Sequence, residues 1–202
     1  MRTPLPPRRT FFRQGLGWIS VLALVLWTGR PAAGAAESSL PPVVFVHGNG
    51  DSADLWITTV WRFESNGWPG ERVHALELPR PLARDDDAVE QPGRTSTTEL
   101  ARHLAAEVAR IARQHGGSKV ILVGNSRGGL AIRNFIANHG GADLVSHAIL
   151  GGTPNHGVWA NPALRPGSEF NGAGRFLTAL NAPPGVPAGV EVTPGVRWRT
   201  LR

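Results

Sequence analysis

The sequence contains no cysteine, and this absence removes several classes of chemistry at once. Disulfide bonds, thiolate metal sites, a cysteine nucleophile and a lipid-modified N-terminal cysteine are all excluded. Other metal sites find no support either, because the three aspartates at residues 85–87 lack the ligand spacing and the glycine turn of a calcium loop. We therefore expect a protein without disulfide bonds and without bound metal.

Lysine is nearly absent, since all but one of the 21 basic residues are arginine, and the excess positive charge is confined to the start of the chain. The net charge of +6 arises because five arginines precede Glu37, whereas all 15 acidic residues lie at or after it. No clustered basic face remains beyond Glu37, so we expect no nucleic-acid partner. The apolar fraction of 41% and the length of 202 residues are those of an ordinary globular domain.

A run of apolar residues near the N-terminus is too short to span a membrane. Residues 18–27 (WISVLALVLW) provide about half of the roughly 20 residues that a spanning helix needs. The run follows the basic residues 1–15 and precedes the small residues 33–35 (AGA), which is the order of a signal peptide. Residues 8–13 (RRTFFR) also resemble a twin-arginine export signal. We expect the export machinery to recognise residues 1–36 and the protein to be secreted or periplasmic.

From residue 37 to residue 202, strand and helix signals alternate along one predicted domain. This alternation predicts an α/β fold, a mostly parallel sheet covered by helices on both faces, with the ligand beyond the carboxyl ends of the strands. Apolar runs predict five strands, over residues 43–46, 72–78, 119–123, 145–150 and 196–201. Helices are predicted over residues 54–65, 130–138 and 175–180, and over a longer segment that starts with a capping box at residues 96–99 and ends at Gly116. Four apolar side chains share one face of that longer helix: Leu100, Leu104, Val108 and Ile111.

A serine between two glycines follows the third predicted strand. Residues 124–128 (GNSRG) match the pattern G-x-S-x-G between a buried-type strand and a helix, the context in which this pattern indicates a nucleophile. A sharp reversal there raises the hydroxyl of Ser126 above the sheet, and Gly124 and Gly128 leave room for neighbouring backbone. The N–H of Arg127 then points at a developing oxyanion. The alternative is a plain turn in which Ser126 caps the helix; a phosphate-binding loop is disfavoured because its glycine pattern is missing.

A second glycine-rich segment, residues 47–50 (HGNG), ends the first predicted strand. The loop at this place supplies a second oxyanion donor in enzymes that carry the serine pattern above, and here we expect the backbone N–H of Asn49 to be that donor. Gly48 and Gly50 would let the backbone approach a substrate. His47 is a poor candidate for a base, and we expect its side chain to be buried and to orient the loop.

Together these segments resemble the α/β-hydrolase superfamily, and within it secreted bacterial triacylglycerol lipases and esterases. VVFVHGNG, VGNSRGG and AILGGTPNHGV fall where that family has its oxyanion strand, nucleophile elbow and following strand, and the resemblance covers residues 42–202. It implies hydrolysis of carboxylic esters without a cofactor, with Ser126 as the nucleophile and with the N–H groups of Asn49 and Arg127 as the oxyanion donors. Arg127 departs from the smaller apolar residue common in such lipases. An acyltransferase, a polyester depolymerase and a non-catalytic binding protein are the alternatives.

The resemblance also implies an acid and then a histidine after Ser126, each following a further strand. Only three carboxylates come after Ser126, two of them in loops and one before a strand: Asp143, Glu169 and Glu191. Of the histidines after Ser126, His139, His147 and His156, only His156 has a suitable place, because the others end a helix or lie within a strand. We expect the triad acid and histidine to be absent and the chain to be truncated at its C-terminus, with the last strand or strands missing. The alternative is a substitute triad of His156 and a loop glutamate.

The ester substrate is expected to be a small molecule or a lipid, held between two loops. Residues 79–95 and 157–193 are rich in proline and glycine and follow strands, so they are predicted to form the rim of the pocket. Four apolar residues favour an acyl-chain site there, although they would also serve as a local core: Trp159, Phe170, Phe176 and Leu177.

Overall fold

The computed structural model describes residues 40–182 and the backbone of residues 197–201. The strands are β1 (Val43–Val46), β2 (Val73–Leu76), β3 (Leu82–Ala83), β4 (Arg94–Thr95), β5 (Val120–Asn125), β6 (Val145–Gly151) and β7 (Arg197–Leu201). The helices are α1 (Ile57–Ser65), α2 (Thr97–Gln114), α3 (Arg127–Asn138) and α4 (Arg175–Leu180). The predicted signal peptide, Glu191 and the first residue of the fifth predicted strand lie outside the described residues.

Five parallel strands form the central sheet, in the order β2-β1-β5-β6-β7. The connections from β1 to β2 and from β2 to β5 lead to opposite sides of β1, and in open parallel sheets a ligand binds beyond the carboxyl ends of the strands at such a switch point. Val46 pairs with Gly124 across these two strands. The two glycine-rich segments, residues 47–50 and 124–128, therefore leave the sheet side by side. The predicted mostly parallel sheet is confirmed.

Apolar residues on β1 alternate between two cores, one on each face of the sheet. Val44 and Val46 belong to the larger core, which includes buried residues of α2 and α3. Val43 and Phe45 point to the opposite face, where the ring centroid of Phe45 lies 5.3 Å from that of Phe63 on α1. Burial on both faces explains why β1 is a continuous apolar run. Helices thus cover both faces, as the alternation of elements predicts.

Helix α2 begins with the predicted capping box. The hydroxyl of Ser96 accepts a hydrogen bond from the Glu99 N–H (3.1 Å), and the Glu99 carboxylate accepts one from the Ser96 N–H (2.8 Å). The predicted apolar face is confirmed as well, since its four residues are fully buried: Leu100, Leu104, Val108 and Ile111. Within residues 40–182 and 197–201, the helices are too short or too polar to cross a membrane.

Several element boundaries differ from prediction. The helix predicted over residues 54–65 begins with a 3₁₀ turn, Ala53–Trp56, because the Ser52 carbonyl accepts a hydrogen bond from Leu55 three residues on. Strand β2 ends before Leu78, whose N–H donates to a histidine ring instead of the sheet. Strand β5 continues to Asn125 and α3 starts directly after Ser126. The loop at residues 79–95 contains the parallel pair β3–β4, whose two-residue strands have no detectable periodicity.

Two histidines pack against each other where β2 meets the end of α2. The ring centroids of His74 and His115 lie 5.7 Å apart, and the Nε2 atom of each is buried without a hydrogen-bond partner in the described residues. Burial lowers the pKa of His74 below its ordinary value of 6.5, and the charges of His115 and Arg110 lower it further. The folded protein therefore favours neutral His74.

Acidification is expected to destabilise the protein through His74. As the pH falls below the ordinary pKa of 6.5, His74 takes up a proton in the unfolded chain but not in the folded one, so the free energy of unfolding decreases. We expect the melting temperature to fall less between about pH 7.5 and about pH 5.5 in H74Q than in the wild type. Thermal unfolding of both proteins at both pH values measures this difference. An equal fall in the two proteins would contradict the role of His74.

Candidate active site

Ser126 occupies the sharp turn between β5 and α3 in a backbone conformation that side chains rarely adopt. Its φ of 51° and ψ of −120° lie where glycine is favoured, and such a conformation costs about 1–3 kcal/mol in a residue with a Cβ. Two backbone hydrogen bonds hold it, from Ser126 N–H to the Gly151 carbonyl (2.9 Å) and from Gly129 N–H to the Ser126 carbonyl (3.1 Å). The surrounding structure thus fixes a strained serine at the carboxyl edge of the sheet.

Close backbone packing explains the glycines on either side of Ser126. A Cβ on Gly128 would collide with the carbonyl oxygens of Val46 and His47 at the end of β1. A Cβ on Gly124 would lie 2.8 Å from the Gly129 nitrogen, in the first turn of α3. The turn can reverse this tightly only because both positions lack a side chain.

The side chain of Ser126 does not cap α3. It makes no capping hydrogen bond, and its hydroxyl has no hydrogen-bond partner within residues 40–182. Ser126 occupies the N-cap position of α3, but the side-chain cap that the alternative interpretation assumes is absent. Ser126 as a whole is half-buried, and its hydroxyl is not engaged by the described residues.

The loop after β1 lies directly against Ser126. A Cβ built on Gly48 would be 3.1 Å from the Cβ of Ser126, so these two residues are in contact. In the described part of the chain, the N–H groups of Asn49 and Arg127 donate no hydrogen bond. The N–H of Arg127 also belongs to the first turn of α3, where the helix dipole favours negative charge. Two unpaired amides thus belong to the residue after Ser126 and to the residue after Gly48, the two residues that the sequence predicts as oxyanion donors.

His47 orients this loop, as predicted, rather than facing Ser126. Its ring is fully buried. Its Nε2 accepts a hydrogen bond from the Leu78 N–H (3.2 Å), and its Nδ1 donates to the Gly48 carbonyl (3.0 Å). One ring nitrogen accepts while the other donates, which is the pattern of a neutral imidazole. Glu77 Oε1 lies 3.7 Å from the same Nε2, but that nitrogen already accepts from Leu78.

The guanidinium of Arg127 is buried beneath the turn, a feature that the sequence does not predict. Glu169 accepts from both its Nε (2.5 Å) and its Nη2 (3.1 Å). Burial raises the pKa of the Glu169 carboxyl, and the charge of Arg127 opposes that rise. Glu169 is therefore a partner of Arg127, although the sequence places it only in an unstructured loop. Arg127 is the one feature of the sequence that could have indicated this ion pair, because a charged side chain next to a buried turn needs a counter-ion.

None of the seven histidines of the sequence is hydrogen-bonded to Ser126, and all seven lie within residues 40–182. His156 follows β6 on the correct edge of the sheet, but its ring is exposed and makes no hydrogen bond in the described part of the chain. Glu169 is held by Arg127, and Asp143 lies in a 3₁₀ turn before β6, at the opposite edge. The structure does not bring a histidine and an acid together at Ser126.

The apolar residues predicted to line an acyl pocket mostly form a small core instead. Leu177 is fully buried, and Phe170 and Phe176 pack with it against Leu130 of α3. The local-core interpretation is thus the right one for these three. Trp159 is partly buried, and its indole N–H donates to the Leu164 carbonyl (3.3 Å). Other apolar side chains of the same two loops are exposed: Leu82, Val89, Val158 and Leu164.

Comparisons with known proteins bear on the fold and on the family. The sequence profile described as the Alpha/beta hydrolase family matches residues 43–202. A search of curated proteins found no match.

Two solved lipase structures are similar to the chain. The mature form of the Bacillus licheniformis lipase BlEst2 superposes with a TM-score of 0.52 and 23% identity, over 79% of this chain and 64% of that one. Aspergillus fumigatus lipase B superposes with a TM-score of 0.55 and 16% identity, over 74% of this chain and 35% of that one. At these identities the likeness shows the fold alone. The chain spans less than two thirds of the length of either lipase.

Proposed function

Because the chain belongs to the alpha/beta hydrolase family, we propose that it is a serine hydrolase of the lipase or esterase kind, which cleaves carboxylic esters through an acyl-enzyme on Ser126. The observation that carries this proposal is the strained Ser126, whose hydroxyl has no hydrogen-bond partner in the described residues and whose Cβ lies beside Gly48, with unpaired amides on Arg127 and on Asn49 after that glycine. A strained backbone conformation that the surrounding structure holds in place is typical of functional sites. Its lipase-like fold is in keeping with this chemistry.

The geometry supports nucleophilic attack on an ester carbonyl. The Ser126 oxygen bonds to the carbonyl carbon, and the N–H groups of Asn49 and Arg127, which otherwise donate no hydrogen bond in the described residues, donate to the developing oxyanion. Departure of the alcohol leaves an ester on Ser126, which water then hydrolyses to the acid. The fixed amides stabilise charge that exists only in the transition state, so they raise turnover more than substrate affinity.

The proton of Ser126 requires a base, and the structure pairs no histidine of these 202 residues with the hydroxyl. Without a paired base the hydroxyl is a weak nucleophile at neutral pH. The oxyanion amides and substrate binding still stabilise the transition state for attack by the unassisted Ser126 hydroxyl. We therefore expect the 202-residue chain to turn over esters slowly but measurably.

Hydrolysis of a short-chain p-nitrophenyl ester by the full chain tests this function. We expect a rate above that of the heat-unfolded chain and several powers of ten below that of an enzyme with a complete triad. A series of acyl-chain lengths then identifies the preferred acid, and product analysis with added alcohol separates hydrolysis from transfer. A folded chain that is no faster than the unfolded one would contradict the proposal.

Replacement of His156 by alanine is expected to leave this slow rate unchanged. The ring is exposed and has no hydrogen-bond partner in the described residues, so its removal takes no contact away from Ser126. The H156A variant is compared with the wild type in the same ester assay, with unfolding curves of both as a control for folding. Fast turnover by the wild type that is lost in H156A would establish His156 as a substitute base.

A further inference from the structure

The side chain of Arg127 is linked to more of the site than its partner Glu169. Each of its five N–H donors is within hydrogen-bond distance of an acceptor, on three separate segments of the chain. Glu169 receives two of these bonds, Thr95 on β4 receives two, through its hydroxyl (3.2 Å) and its carbonyl (2.8 Å), and the Pro81 carbonyl receives the fifth (2.8 Å). The guanidinium is fully buried. Its orientation is therefore fixed from every side.

The segment at residues 81–83 connects this guanidinium to the loop after β1. The Pro81 carbonyl accepts from Arg127 and also from the Gly50 N–H (3.3 Å). Two residues on, the Ala83 N–H donates to the side-chain oxygen of Asn49 (2.7 Å). The hydrogen bonds therefore run from Arg127, through residues 81–83, to both Asn49 and Gly50.

We propose that the buried guanidinium of Arg127 is a positioning group that sets the separation of the two oxyanion amides, a role that rests on the proposed function. One amide is the N–H of Arg127 itself, and the other is the N–H of Asn49 on the loop that residues 81–83 hold. The side chain of Arg127 thus aligns the N–H of Asn49 with the N–H of Arg127 itself.

The geometry explains why the residue is arginine rather than lysine. A guanidinium offers five donors in a rigid planar fork, whereas an ammonium offers three donors around a point charge. Only the fork reaches Glu169, Thr95 and Pro81 together. Glu169 supplies the counter-charge that a buried cation needs, through two of the five bonds.

Loosening the loop should affect the transition state more than the bound ester. The oxyanion develops only during reaction, so misplaced amides lower kcat and leave KM nearly unchanged. A misplacement of about 1 Å costs up to about a hundredfold in rate. Because no histidine is paired with Ser126, the residual rate depends on these amides. A change in their position should therefore appear directly as a change in kcat.

The test compares R127M/E169M with R133M, each in the full chain. The double variant removes both charges together, so no unpaired ion stays buried, and apolar replacement of such a pair is often tolerated. Arg133 is the matched control, because it is a buried arginine on the same helix that bonds to Asn155, Leu180 and Asn181 and not to residues 81–83. Unfolding curves establish that each variant is folded.

Two readouts are expected to separate the variants. In R127M/E169M, kcat for the p-nitrophenyl ester falls about ten- to a hundredfold at nearly constant KM, and amide hydrogen exchange speeds up at Gly50 and Ala83. In R133M both readouts stay near the wild-type values. Unchanged exchange, or equal kcat losses in the two variants, would overturn the positioning role. Wild-type chain without any turnover would instead refute the proposed function, and the exchange data would then decide alone whether Arg127 holds the loop.

Discussion

Replacement of Ser126 by alanine is expected to abolish ester turnover while the protein stays folded. The hydroxyl makes no hydrogen bond within residues 40–182, so its loss removes the proposed nucleophile and almost no packing. The residual rate of the wild type should fall to that of the unfolded chain. Ester hydrolysis and thermal unfolding of S126A, measured side by side with the wild type, check both parts of this expectation.

The glycine variant at the same position is a matched control for strain. S126G also lacks the hydroxyl, but glycine adopts a φ of 51° without the cost that alanine bears. We expect S126G to be more stable than S126A by about 1 kcal/mol, since relief of strain outweighs the greater freedom of glycine in the unfolded chain. Wild-type turnover in either variant would exclude Ser126 as the nucleophile. Equal stability of the two would mean that the turn is not strained.

Replacement of Gly128 by alanine is expected to destabilise the fold by about 3 kcal/mol, a large effect for a single methyl group. The new Cβ would meet the carbonyl oxygens of Val46 and His47. These are backbone atoms at the end of a central strand, so neither can rotate away. Chemical denaturation of G128A against the wild type measures the loss.

Gly151 provides the control for this substitution. It ends β6 at the same edge of the sheet, and a Cβ there would meet only the Gly124 carbonyl, at an ordinary distance of 3.7 Å. G151A should therefore lose much less stability than G128A. Comparable losses would show that the close approach of α3 to β1 is not the reason for the glycine at position 128.

Much of the fold could be predicted because short-range patterns determine it. The apolar run of β1 indicates burial on both faces whatever packs there, the capping box at Ser96 is made by residues three positions apart, and the glycines around Ser126 mark positions that few residue types fit. Element boundaries were less predictable, since β5 and α3 both extend into the turn that the glycine pattern marks. The two-residue strands β3 and β4 carry no pattern at all.

The contacts beneath the site depend on residues far apart in the chain. Arg127 and Glu169 are 42 positions apart, and no local pattern links them. No local pattern links Phe170 and Phe176 to Leu130 either. They pack against it, although the loop sequence predicts the rim of a pocket. The apolar residues of a loop indicate that the loop is partly buried, but the residues that they pack against depend on the fold.

The most direct test of the central claim is chemical labelling of Ser126 in the full chain. A fluorophosphonate loses fluoride to a serine oxygen, and the negative charge that develops on its phosphoryl oxygen during the reaction is stabilised by N–H donors, as the amides of Asn49 and Arg127 are proposed to do. Intact mass and peptide mapping should find one adduct on Ser126, formed faster than on any other serine and lost in S126A and in the heat-unfolded chain. Labelling that is absent at Ser126, or no faster there than at other serines, would contradict the account.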